Sequence, residues 1–410
     1  MESAVIILAA GMASRMGAAK ALLSLPLLPG GGHCSALRGL VKQYREAGVQ
    51  RAVIVSGFHA EVVEGEALAL GLKTVRNPVA QQGMFSSVRV GVAALAQSGF
   101  DGYFFVQPVD IPLVRPLTLR ALCEAVKQEE AGRMAELAVS NTAAELPVII
   151  PAFEGQEGHP PLVPMHLAPR IMAHTGQDGL RGALEGAPLR HVAVPDAMIL
   201  EDMDTPDDYA RLRYLALERH MLSPVEAESL LHLHNVPEKG LRHARAVGTV
   251  ACCLAEALAH AREISGYEAG VDPRWALAGG LLHDICKGQP KHEAAAGELL
   301  RQMDLPGMAR LVQDHRDLSL PGDEPITERE LVYLADKYCY GGSFVPIERR
   351  FGNKLEAYAG DAAACEAIRG RLGRAKALEE RLAREIGRDP ALVAERALKR
   401  NCGAPQVNAA

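Results

Sequence analysis

The sequence predicts two domains of different class, an α/β domain with a mostly parallel sheet followed by an all-α domain. The chain has 410 residues, which is longer than the size at which a single hydrophobic core usually stops growing. Up to about residue 213, short β-branched or aromatic runs alternate with segments of helical periodicity, as is typical of βαβ units. From about residue 223 onward no strand-like run remains, and apolar residues recur at helical spacing.

Three strand–helix pairs support the α/β prediction. The stretches AVIILAA, AVIVSG and YFFVQP predict strands, and each precedes a predicted helix, in residues 37–47, 61–69 and 117–127. This alternation indicates a Rossmann-like, mostly parallel sheet.

The second half is predicted to be helical throughout, in residues 242–262, 275–286, 292–303, 328–338 and 362–386. Residues 209–220 are predicted as the last helix of the first domain. Residues 221–224 are the predicted hinge, because Ser223 and Pro224 together form a helix-start signal. The predicted domains are therefore residues 1–220 and 221–400, followed by a flexible tail in 401–410.

Composition excludes several classes of partner. The formal net charge is −6 and charges of both signs are interspersed, so we expect no nucleic-acid polymer as a partner. The apolar run in residues 4–10 is too short to span a bilayer, and we expect no membrane association. The eight cysteines are scattered and include no C-x-x-C pair, which favours a reducing cytoplasm over a disulfide framework. Composition leaves the oligomeric state open.

The stretch ILAAGMASRMGAAKALL predicts an anion-binding loop at the end of the first strand. A glycine-rich turn that opens a helix exposes unpaired backbone N–H groups, and the helix dipole adds to their attraction for phosphate. Arg15 offers a bidentate donor and Lys20 a mobile point charge. The spacing is not that of a Walker A loop, and a purely structural turn is the alternative.

Two aspartates are candidate magnesium ligands. Asp110 follows the strand YFFVQP, and so belongs at the carboxyl edge of the sheet, where ligands bind in open α/β folds. Asp204 lies in EDMDTPDDY, just before a predicted helix, and helix N-capping by Asp204 or Thr205 is the alternative there. Carboxylates at such positions suit Mg²⁺ together with phosphate oxygens.

The stretches LAAGMASRMGAAKALL, NPVAQQGMFSSVRVGV, QPVDIPLV, GHPPLVP, DGLRGAL and EDMDTPDDY together resemble the molybdopterin nucleotidyltransferase family, in particular its cytidylyl branch. The resemblance covers roughly residues 1 to 212 and implies a nucleotidyltransferase-type fold. The insertion PLLPGGGHCSAL interrupts the helix that usually follows the lysine of the loop.

The resemblance implies a nucleoside triphosphate substrate, with LAAG favouring CTP over GTP, and Mg²⁺ on Asp110. The acceptor it implies is molybdopterin or a related phosphorylated compound, with a molybdoenzyme-maturation partner. A sugar or polyol phosphate is the alternative acceptor. The catalytic candidates are Arg15, Lys20 and Asp110, which would act by positioning and charge neutralisation. The nucleotide-binding candidates are Leu8, Ala9, Ala10, Gly11, Arg15, Lys20, Asn77 and Ser86.

A second candidate site begins at LLHDICK. On a helix His283 and Asp284 would point about 100° apart, so both can reach one cation at the helix edge but neither can hide in the core. An unpaired polar group in an apolar interior costs roughly 2–7 kcal/mol, so the pair needs a partner, and a metal ion is the simplest one. The further candidate ligands are His243, His292, His315 and Asp336. Imidazoles and carboxylates suit Fe, Mn, Zn or Co, and the metal stays open.

The order of these ligands resembles the HD superfamily of metal-dependent phosphohydrolases over roughly residues 225 to 345. HDICK, KHEAAAGELL and YLADKY resemble the dinuclear branch that cleaves dinucleoside polyphosphates such as diadenosine tetraphosphate. The resemblance implies one metal on His243, His283, Asp284 and Asp336. It implies that Asp284 bridges to a second metal on His292 and His315.

The catalytic candidates of the second domain are Asp284 and Lys287. Lys287 can touch a phosphate, although a solvated lysine is an equal alternative. The helical segment beyond Ala362 is predicted to serve packing. A nucleotide-sensing regulatory module without turnover is the alternative to a hydrolase.

Overall fold

The computed structural model describes residues 2–12, 16–140, 144–267, 270–313, 315, 317–318 and 324–401. The chain divides into two compact units, Met1–Arg219 and His220–Ala410. The first unit is α/β and the second is helical, which confirms the predicted fold classes.

The described part of the first unit contains strands β1 (Ser3–Ala9), β2 (Ser24–Leu28), β3 (Gly32–Ser35), β4 (Arg51–Ser56), β5 (Lys73–Arg76), β6 (Tyr103–Pro108), β7 (Val148–Phe153), β8 (Gln156–Glu157), β9 (Leu162–Pro164) and β10 (Leu189–Ala193). Its α-helices are α1 (Ala36–Glu46), α2 (Ala60–Ala69), α3 (Met84–Gln97), α4 (Pro116–Ser140), α5 (Ala168–Ala173), α6 (Gly179–Ala183) and α7 (Pro206–Leu217).

The main sheet has the strand order β10-β7-β9-β6-β1-β4-β5, with β8 paired to β7. Strand β9 runs antiparallel to β6 and β7, and β8 is antiparallel to β7, whereas the pairs β1–β4, β1–β6, β4–β5 and β7–β10 are parallel. The sheet is therefore mixed but mostly parallel, as predicted.

The central strand β1 places the candidate loop next to the end of β6. In the register, Leu8 of β1 lies opposite Pro108 of β6, and the amide of Val109 donates to the carbonyl of Leu8 at 3.1 Å. On the other side of β1, Gly57 passes so close to Ala10 that an added Cβ would lie 2.6 Å from the Ala10 carbonyl oxygen. Three strand ends thus meet at one edge of the sheet.

A helix was predicted directly after the glycine-rich loop, but the described residues 16–35 contain no α-helix. The structure shows a 3-10 turn at Lys20–Leu22, followed by the antiparallel pair β2 and β3, before α1 begins at Ala36. Gly30 and Gly31 adopt positive φ in the connection between the two strands, where the sequence PLLPGGG favours a turn. The expected contribution of a helix dipole to phosphate binding was therefore wrong.

The second unit contains α8 (Pro224–Leu233), α9 (Glu238–Ser265), α10 (Pro273–Leu282), α11 (His292–Gln302), α12 (Pro306–Val312), α13 (Glu328–Tyr338), α14 (Ile347–Ala357), α15 (Ala362–Ile386) and α16 (Pro390–Asn401). Helix α9 runs through the core, with Val247, Val250 and Leu254 fully buried. Gly280 of α10 packs so tightly on α9 that an added Cβ would lie 2.6 Å from the Gly248 Cα atom. These close contacts fix the end of α10, where the second candidate site begins.

Two predictions for the second unit were wrong in detail. Helix α10 ends at Leu282 rather than at residue 286, so His283 and Asp284 lie just beyond the helix. No strand was predicted after about residue 223, but a short hairpin pairs β11 (Cys339–Tyr340) with β12 (Ser343–Phe344). Gly341 adopts a positive φ that allows the tight turn.

The connection between the units begins after α7. Helix α8 starts with Ser223 as N-cap in a reciprocal capping box with Glu226. Most of the predicted C-terminal tail, residues 402–410, lies outside the described residues. Among the helices that the structure describes, none combines the length and the apolar character that crossing a bilayer requires.

Candidate functional site

A cavity of about 530 Å³ lies at the carboxyl edge of β1 and β6. The predicted site residues that line it are Leu8, Ala9, Ala10, Gly11, Lys20, Asp110 and Asp204. They come from segments far apart in the sequence, and the sheet register brings them together. The cavity also receives side chains that sequence reasoning missed, namely Met12, Phe58, His59 and Met84.

The Lys20 ammonium joins the two candidate aspartates. Its Nζ atom lies 3.0 Å from Oδ2 of Asp110 and 2.5 Å from Oδ1 of Asp204. Burial lowers the pKa of Lys20, but the hydrogen bond to Asp204 and the charge of Asp110 outweigh it and raise the Lys20 pKa. The lysine is therefore held in its charged form by the two carboxylates.

Local structure explains why Asp204 is free to face Lys20. The cap of α7 is Thr205, whose hydroxyl accepts from the amide of Asp208 while the Asp208 carboxylate accepts from the amide of Thr205. Asp204 therefore does not cap α7. The amide of Met203 donates to the backbone carbonyl of Asp110 at 2.9 Å, which holds the loop of Asp204 against that of Asp110.

The acidic pair fits a divalent cation. Both carboxylates reach the same ammonium nitrogen, so their oxygens converge on one position that a positive charge can occupy. Burial, and after it the charges of Asp204 and Asp110, raise the pKa of nearby Asp202. Hard oxygen donors of this kind are the ligands that Mg²⁺ prefers.

Two of the predicted nucleotide-binding residues, Asn77 and Ser86, do not line this cavity. Asn77 is only 3% exposed and donates from Nδ2 to the hydroxyls of Ser86, at 2.8 Å, and Ser87, at 2.9 Å. Neither Asn77 nor Ser86 is among the lining residues, whereas Ser87 is. Asn77 instead organises the start of α3 behind the cavity wall. Arg15 lies outside the described residues.

In the second unit, the structure brings the six candidate metal ligands into one cluster: His243, His283, Asp284, His292, His315 and Asp336. The set comes from α9, α11 and α13, from the end of α10 and from the residues after α12. Two groups within it, His243 with His283 and Asp336, and His283 with Asp284 and His315, have ligand atoms within 4.8 Å of one another.

The two carboxylate oxygens of Asp284 face different histidines. Its Oδ2 atom lies 3.4 Å from Nε2 of His283 and 3.6 Å from Nε2 of His243. Its Oδ1 atom lies 3.3 Å from Nε2 of His292 and 3.5 Å from Nε2 of His315. Asp336 belongs to the Oδ2 side, where its Oδ1 atom lies 3.3 Å from Nε2 of His243. Asp284 therefore stands between two sets of donors.

The histidine rings are oriented by backbone carbonyls. The Nδ1 atoms of His243, His283 and His315 lie 3.2, 2.7 and 2.7 Å from the carbonyl oxygens of Gly341, Gly280 and Val312. Because a carbonyl can only accept, each Nδ1 carries a hydrogen, and each Nε2 is the ring nitrogen that faces the cluster. This is the arrangement that metal-binding histidines use to fix their tautomer.

His283 corrects the expectation that the His-Asp pair stays at a helix edge. Its side chain is 0% exposed, and its Nε2 atom is buried with no hydrogen-bond partner among the described residues. Burial lowers the pKa of His283, so the ring is neutral at pH 7. A buried, neutral nitrogen lone pair beside carboxylates is the donor that a divalent transition metal satisfies, so the cluster fits a metal.

Two cations that sequence reasoning missed contact Asp336. Lys337 Nζ lies 2.9 Å from Oδ2 of Asp336 and also donates to the carbonyl of His315 at 2.8 Å. Arg350 lies 3.0 Å from Oδ1 of Asp336. Burial alone would raise the pKa of Asp336, but Lys337 and Arg350 hold it well below its usual range. Lys337 could have been predicted because it directly follows Asp336 in YLADKY. Arg350 is distant in sequence, and no local pattern predicts its contact with Asp336.

The cluster opens into a cavity of about 420 Å³. Lys287 lines it and contacts Asp284, while most of its side chain, 62%, is exposed. Ala364, Ile368 and Arg371 of α15 line the same cavity, so the segment beyond Ala362 shapes the site as well as packing on the core.

Comparison with known proteins gives two matches, one in each unit. Residues 5–194 match the family described as MobA-like NTP transferase domain, and residues 240–341 match the HD domain. A curated relative, the bifunctional protein GlmU of Geobacter metallireducens, is 32% identical over 159 residues, which is 38% of this chain and 31% of the relative. The chain thus spans about a third of the length of that curated relative.

Solved structures similar to the chain include Rv0371c from Mycobacterium tuberculosis H37Rv, at 23% identity and a TM-score of 0.42, covering 52% of this chain and 98% of that one. Molybdopterin-guanine dinucleotide biosynthesis protein A from Archaeoglobus fulgidus, at 18% identity and a TM-score of 0.35, covers the same shares. At these values neither likeness identifies a substrate or an activity. The two family matches lie in separate units, a MobA-like NTP transferase domain in the first and an HD domain in the second.

Proposed function

We propose that the chain is a bifunctional enzyme, a nucleotidyltransferase in its first unit and a metal-dependent phosphohydrolase in its second. The convergence of Lys20, Asp110 and Asp204 in one cavity supports the transferase. The placement of Asp284 between two sets of histidines supports the hydrolase.

In the proposed transfer, an acceptor phosphate oxygen attacks the α-phosphorus of a nucleoside triphosphate. A new P–O bond forms, the bond to the β-phosphate oxygen breaks, and pyrophosphate leaves with the electron pair. Mg²⁺ bound by Asp110 and Asp204 would neutralise phosphate charge. Lys20 would leave its carboxylates and hold phosphate oxygens, and the backbone of residues 9–11 would line the nucleotide cavity.

CTP is the proposed nucleotide, and molybdopterin or a related phosphorylated compound the proposed acceptor. The support is the sequence LAAG in the loop and the resemblance of the first 212 residues to the cytidylyl branch. A sugar or polyol phosphate is the alternative acceptor. A molybdoenzyme that receives the product is the proposed protein partner.

A screen of the full chain with Mg²⁺, four nucleoside triphosphates and the candidate acceptors tests the transferase. Pyrophosphate release is the readout. We expect release with CTP and molybdopterin and little with GTP. If pyrophosphate is released with CTP only when a sugar phosphate is present, the sugar phosphate becomes the proposed acceptor. No release with any combination would contradict the transferase activity.

In the proposed hydrolysis, a water oxygen bonds to phosphorus, the bond to the leaving oxygen breaks, and the water proton passes to the leaving group or solvent. Divalent ions at the cluster, Fe, Mn, Zn or Co, would supply Lewis acidity to this step. The backbone carbonyls at Nδ1 of His243, His283 and His315 would keep the Nε2 atoms of the three rings directed inward. Lys287 contacts Asp284 at the cavity wall, which supports the proposal that it would neutralise a phosphate.

Hydrolysis by the full chain, loaded in turn with Mn²⁺, Fe²⁺, Co²⁺ or Zn²⁺, tests the second activity against diadenosine tetraphosphate and mononucleotides. The Asp284→Asn variant is the background control, since it removes the shared carboxylate. Hydrolysis that this variant lacks supports the hydrolase. Tight nucleotide binding without turnover would support the nucleotide-sensing alternative instead.

We propose that the protein works in the cytoplasm. The support is chemical: Cys34, Cys123, Cys252, Cys253, Cys286, Cys339 and Cys365 are all free thiols, as expected in a reducing compartment.

A further inference from the structure

The second unit contains a further cavity, of about 540 Å³, which is lined by residues of α13 and α15 and by Leu318. None of its described lining residues also lines the cavity beside the histidine cluster. Residues 240–341 match the HD domain, whereas α15 begins at Ala362. The cavity is therefore separate from the proposed hydrolase site, and most of its wall lies beyond the HD match.

The α15 wall of this cavity carries a row of three arginines, Arg374, Arg381 and Arg384. Residues seven and three positions apart lie on one face of a helix, so the row extends over about 15 Å. Glu385 is the single acidic residue among the described residues that line the cavity. The wall therefore has an excess of positive charge.

Two of the three arginines have acidic partners. Arg374 donates from Nε and from Nη2 to the two carboxylate oxygens of Asp317, each at 2.8 Å. Arg381 has its Nε atom 3.4 Å from Oε1 of Glu385. Arg384 differs, because it has no hydrogen-bond or ion-pair partner within the part of the chain that the structure describes. Its charge at the cavity wall is therefore available to a ligand.

The rest of the cavity lining is largely apolar. Leu318, Tyr333 and Leu378 are buried and belong to the hydrophobic core of the unit. The Tyr333 hydroxyl is the exception, since it is buried and has no hydrogen-bond partner among the described residues. Burial raises the pKa of Tyr333 to about 12, so the hydroxyl keeps its proton and can donate. Buried polar groups are rarely left unpaired, and an acceptor atom of a ligand would satisfy this one.

We propose that this cavity binds a small organic oxyanion, that is, a carboxylate or a phosphate carried on an apolar body. Arg384 would bind the oxyanion, because a guanidinium pairs with either group in the same bidentate geometry. Leu318, Leu378 and the ring of Tyr333 would contact the apolar body. An apolar lining with a few placed polar groups, at a volume of about 300 to 1,000 Å³, is typical of small-molecule sites. The site needs no metal ion and goes beyond both proposed activities.

Chemical footprinting of the full chain locates the site directly. Phenylglyoxal modifies guanidinium groups, and peptide mass spectrometry gives the modification rate at each arginine. Phenyl phosphate and benzoate are the probes, since both carry a ring and they differ in the oxyanion. At ten times its dissociation constant a probe occupies about 90% of its site, so modification of Arg384 should slow by about tenfold. Arg369 is exposed on α15 and does not line the cavity, so its rate should not change.

Calorimetric binding of the protecting probe to four variants tests the charge of the wall. Arg384→Gln removes the unpaired cation, and Arg369→Gln is its matched control. Ala377→Glu adds a carboxylate at the cavity wall, and Ala363→Glu adds one at an exposed position of α15 outside the cavity. We expect each cavity variant to weaken binding by about tenfold and each control to stay within about twofold of the parent chain. Thermal unfolding of each variant shows whether it folds as the parent does.

Two further comparisons separate this site from simple ion binding and from the metal cluster. Orthophosphate and acetate lack the apolar body, so they should bind at least about tenfold more weakly than the matching probe. Protection of Arg384 should be the same in the metal-free chain and with Mn²⁺. Protection that requires Mn²⁺ would place the probe at the cluster and overturn the proposal. No protection by either probe, or binding that ignores Arg384→Gln and Ala377→Glu, would also overturn it.

Discussion

The Nε2 atom of His283 lies 3.4 Å from Oδ2 of Asp284, although the His283 ring is completely buried and Asp284 remains 14% exposed. Two residues that are adjacent in sequence thus belong to one cluster, one from the buried core and the other from the partly exposed cavity wall. His283 contributes a buried lone pair, and Asp284 extends from it toward His292 and His315 at the cavity. Both residues follow the end of α10 at Leu282, with His283 on the side of the core and Asp284 on the side of the cavity.

Asp284→Asn should reduce metal binding at both halves of the cluster. The carboxylate faces all four histidines, and its replacement removes a negative charge that both donor sets share. We expect the affinity for Mn²⁺ to fall by at least about tenfold, which is the scale of an altered ligand environment. The manganese content after dialysis, measured by plasma mass spectrometry, should fall accordingly. Glu380→Gln, an exposed change on α15, should retain the parent content. Unchanged binding in Asp284→Asn would contradict the shared-ligand interpretation.

Lys20→Ala should depress nucleotidyl transfer strongly. Lys20 contacts both Asp110 and Asp204 in the cavity of the first unit, and under the proposed transfer its loss would leave transition-state charge uncompensated. We expect turnover, measured by pyrophosphate release, to fall by about 10² to 10³-fold. Lys42→Ala on α1 removes an exposed i,i+4 ion pair with Glu46 and should leave turnover unchanged. Full activity of Lys20→Ala would show that the lysine has no catalytic part.

Asp196→Ala should destabilise the first unit. Asp196 is 0% exposed, and it accepts from the amide of Arg115 at 2.9 Å and from the Thr118 hydroxyl at 2.6 Å. Removing the carboxylate leaves the Arg115 guanidinium without its buried counter-charge, which costs about 3–5 kcal/mol. Urea unfolding checks this, with the exposed Asp101→Ala as control. A loss below about 1 kcal/mol would mean that the buried pair contributes no more than an exposed one.

Divalent metal should stabilise the second unit in particular. Metal that binds the folded cluster but not the unfolded chain stabilises by about 2.7 kcal/mol at a hundredfold excess over its dissociation constant. The unfolding temperature of the helical unit should therefore rise when Mn²⁺ is added and return to its starting value after EDTA. In His283→Ala the shift should be smaller, because the buried Nε2 donor is gone. An equal shift in this variant would place the metal elsewhere.

The sequence predicts the fold class and the segments that carry both sites, because hydrophobic periodicity and chemically distinctive residues are local properties. The helices Glu328–Tyr338 and Ala362–Ile386 begin and end where their periodicity indicates. The position of Asp110 at the edge of the sheet likewise follows from the strand before it.

Features that depend on distant residues were not predictable in this way. The burial of His283 depends on the close packing of Gly280 against Gly248, which periodicity does not reveal. Arg350 reaches Asp336 from another helix, and no local pattern distinguishes it from the exposed Arg349 beside it. The loop after β1 leads into a hairpin because three consecutive glycines favour a turn over a continued helix.

The central claim is that Asp284 is shared between two divalent cations. An anomalous-difference map at the manganese absorption edge, from crystals of the full chain grown with Mn²⁺, tests it most directly. We expect two peaks about 3.5–4 Å apart, one beside His243, His283 and Asp336 and the other beside His292 and His315, with Asp284 touching both. A single peak, or peaks away from Asp284, would contradict the claim.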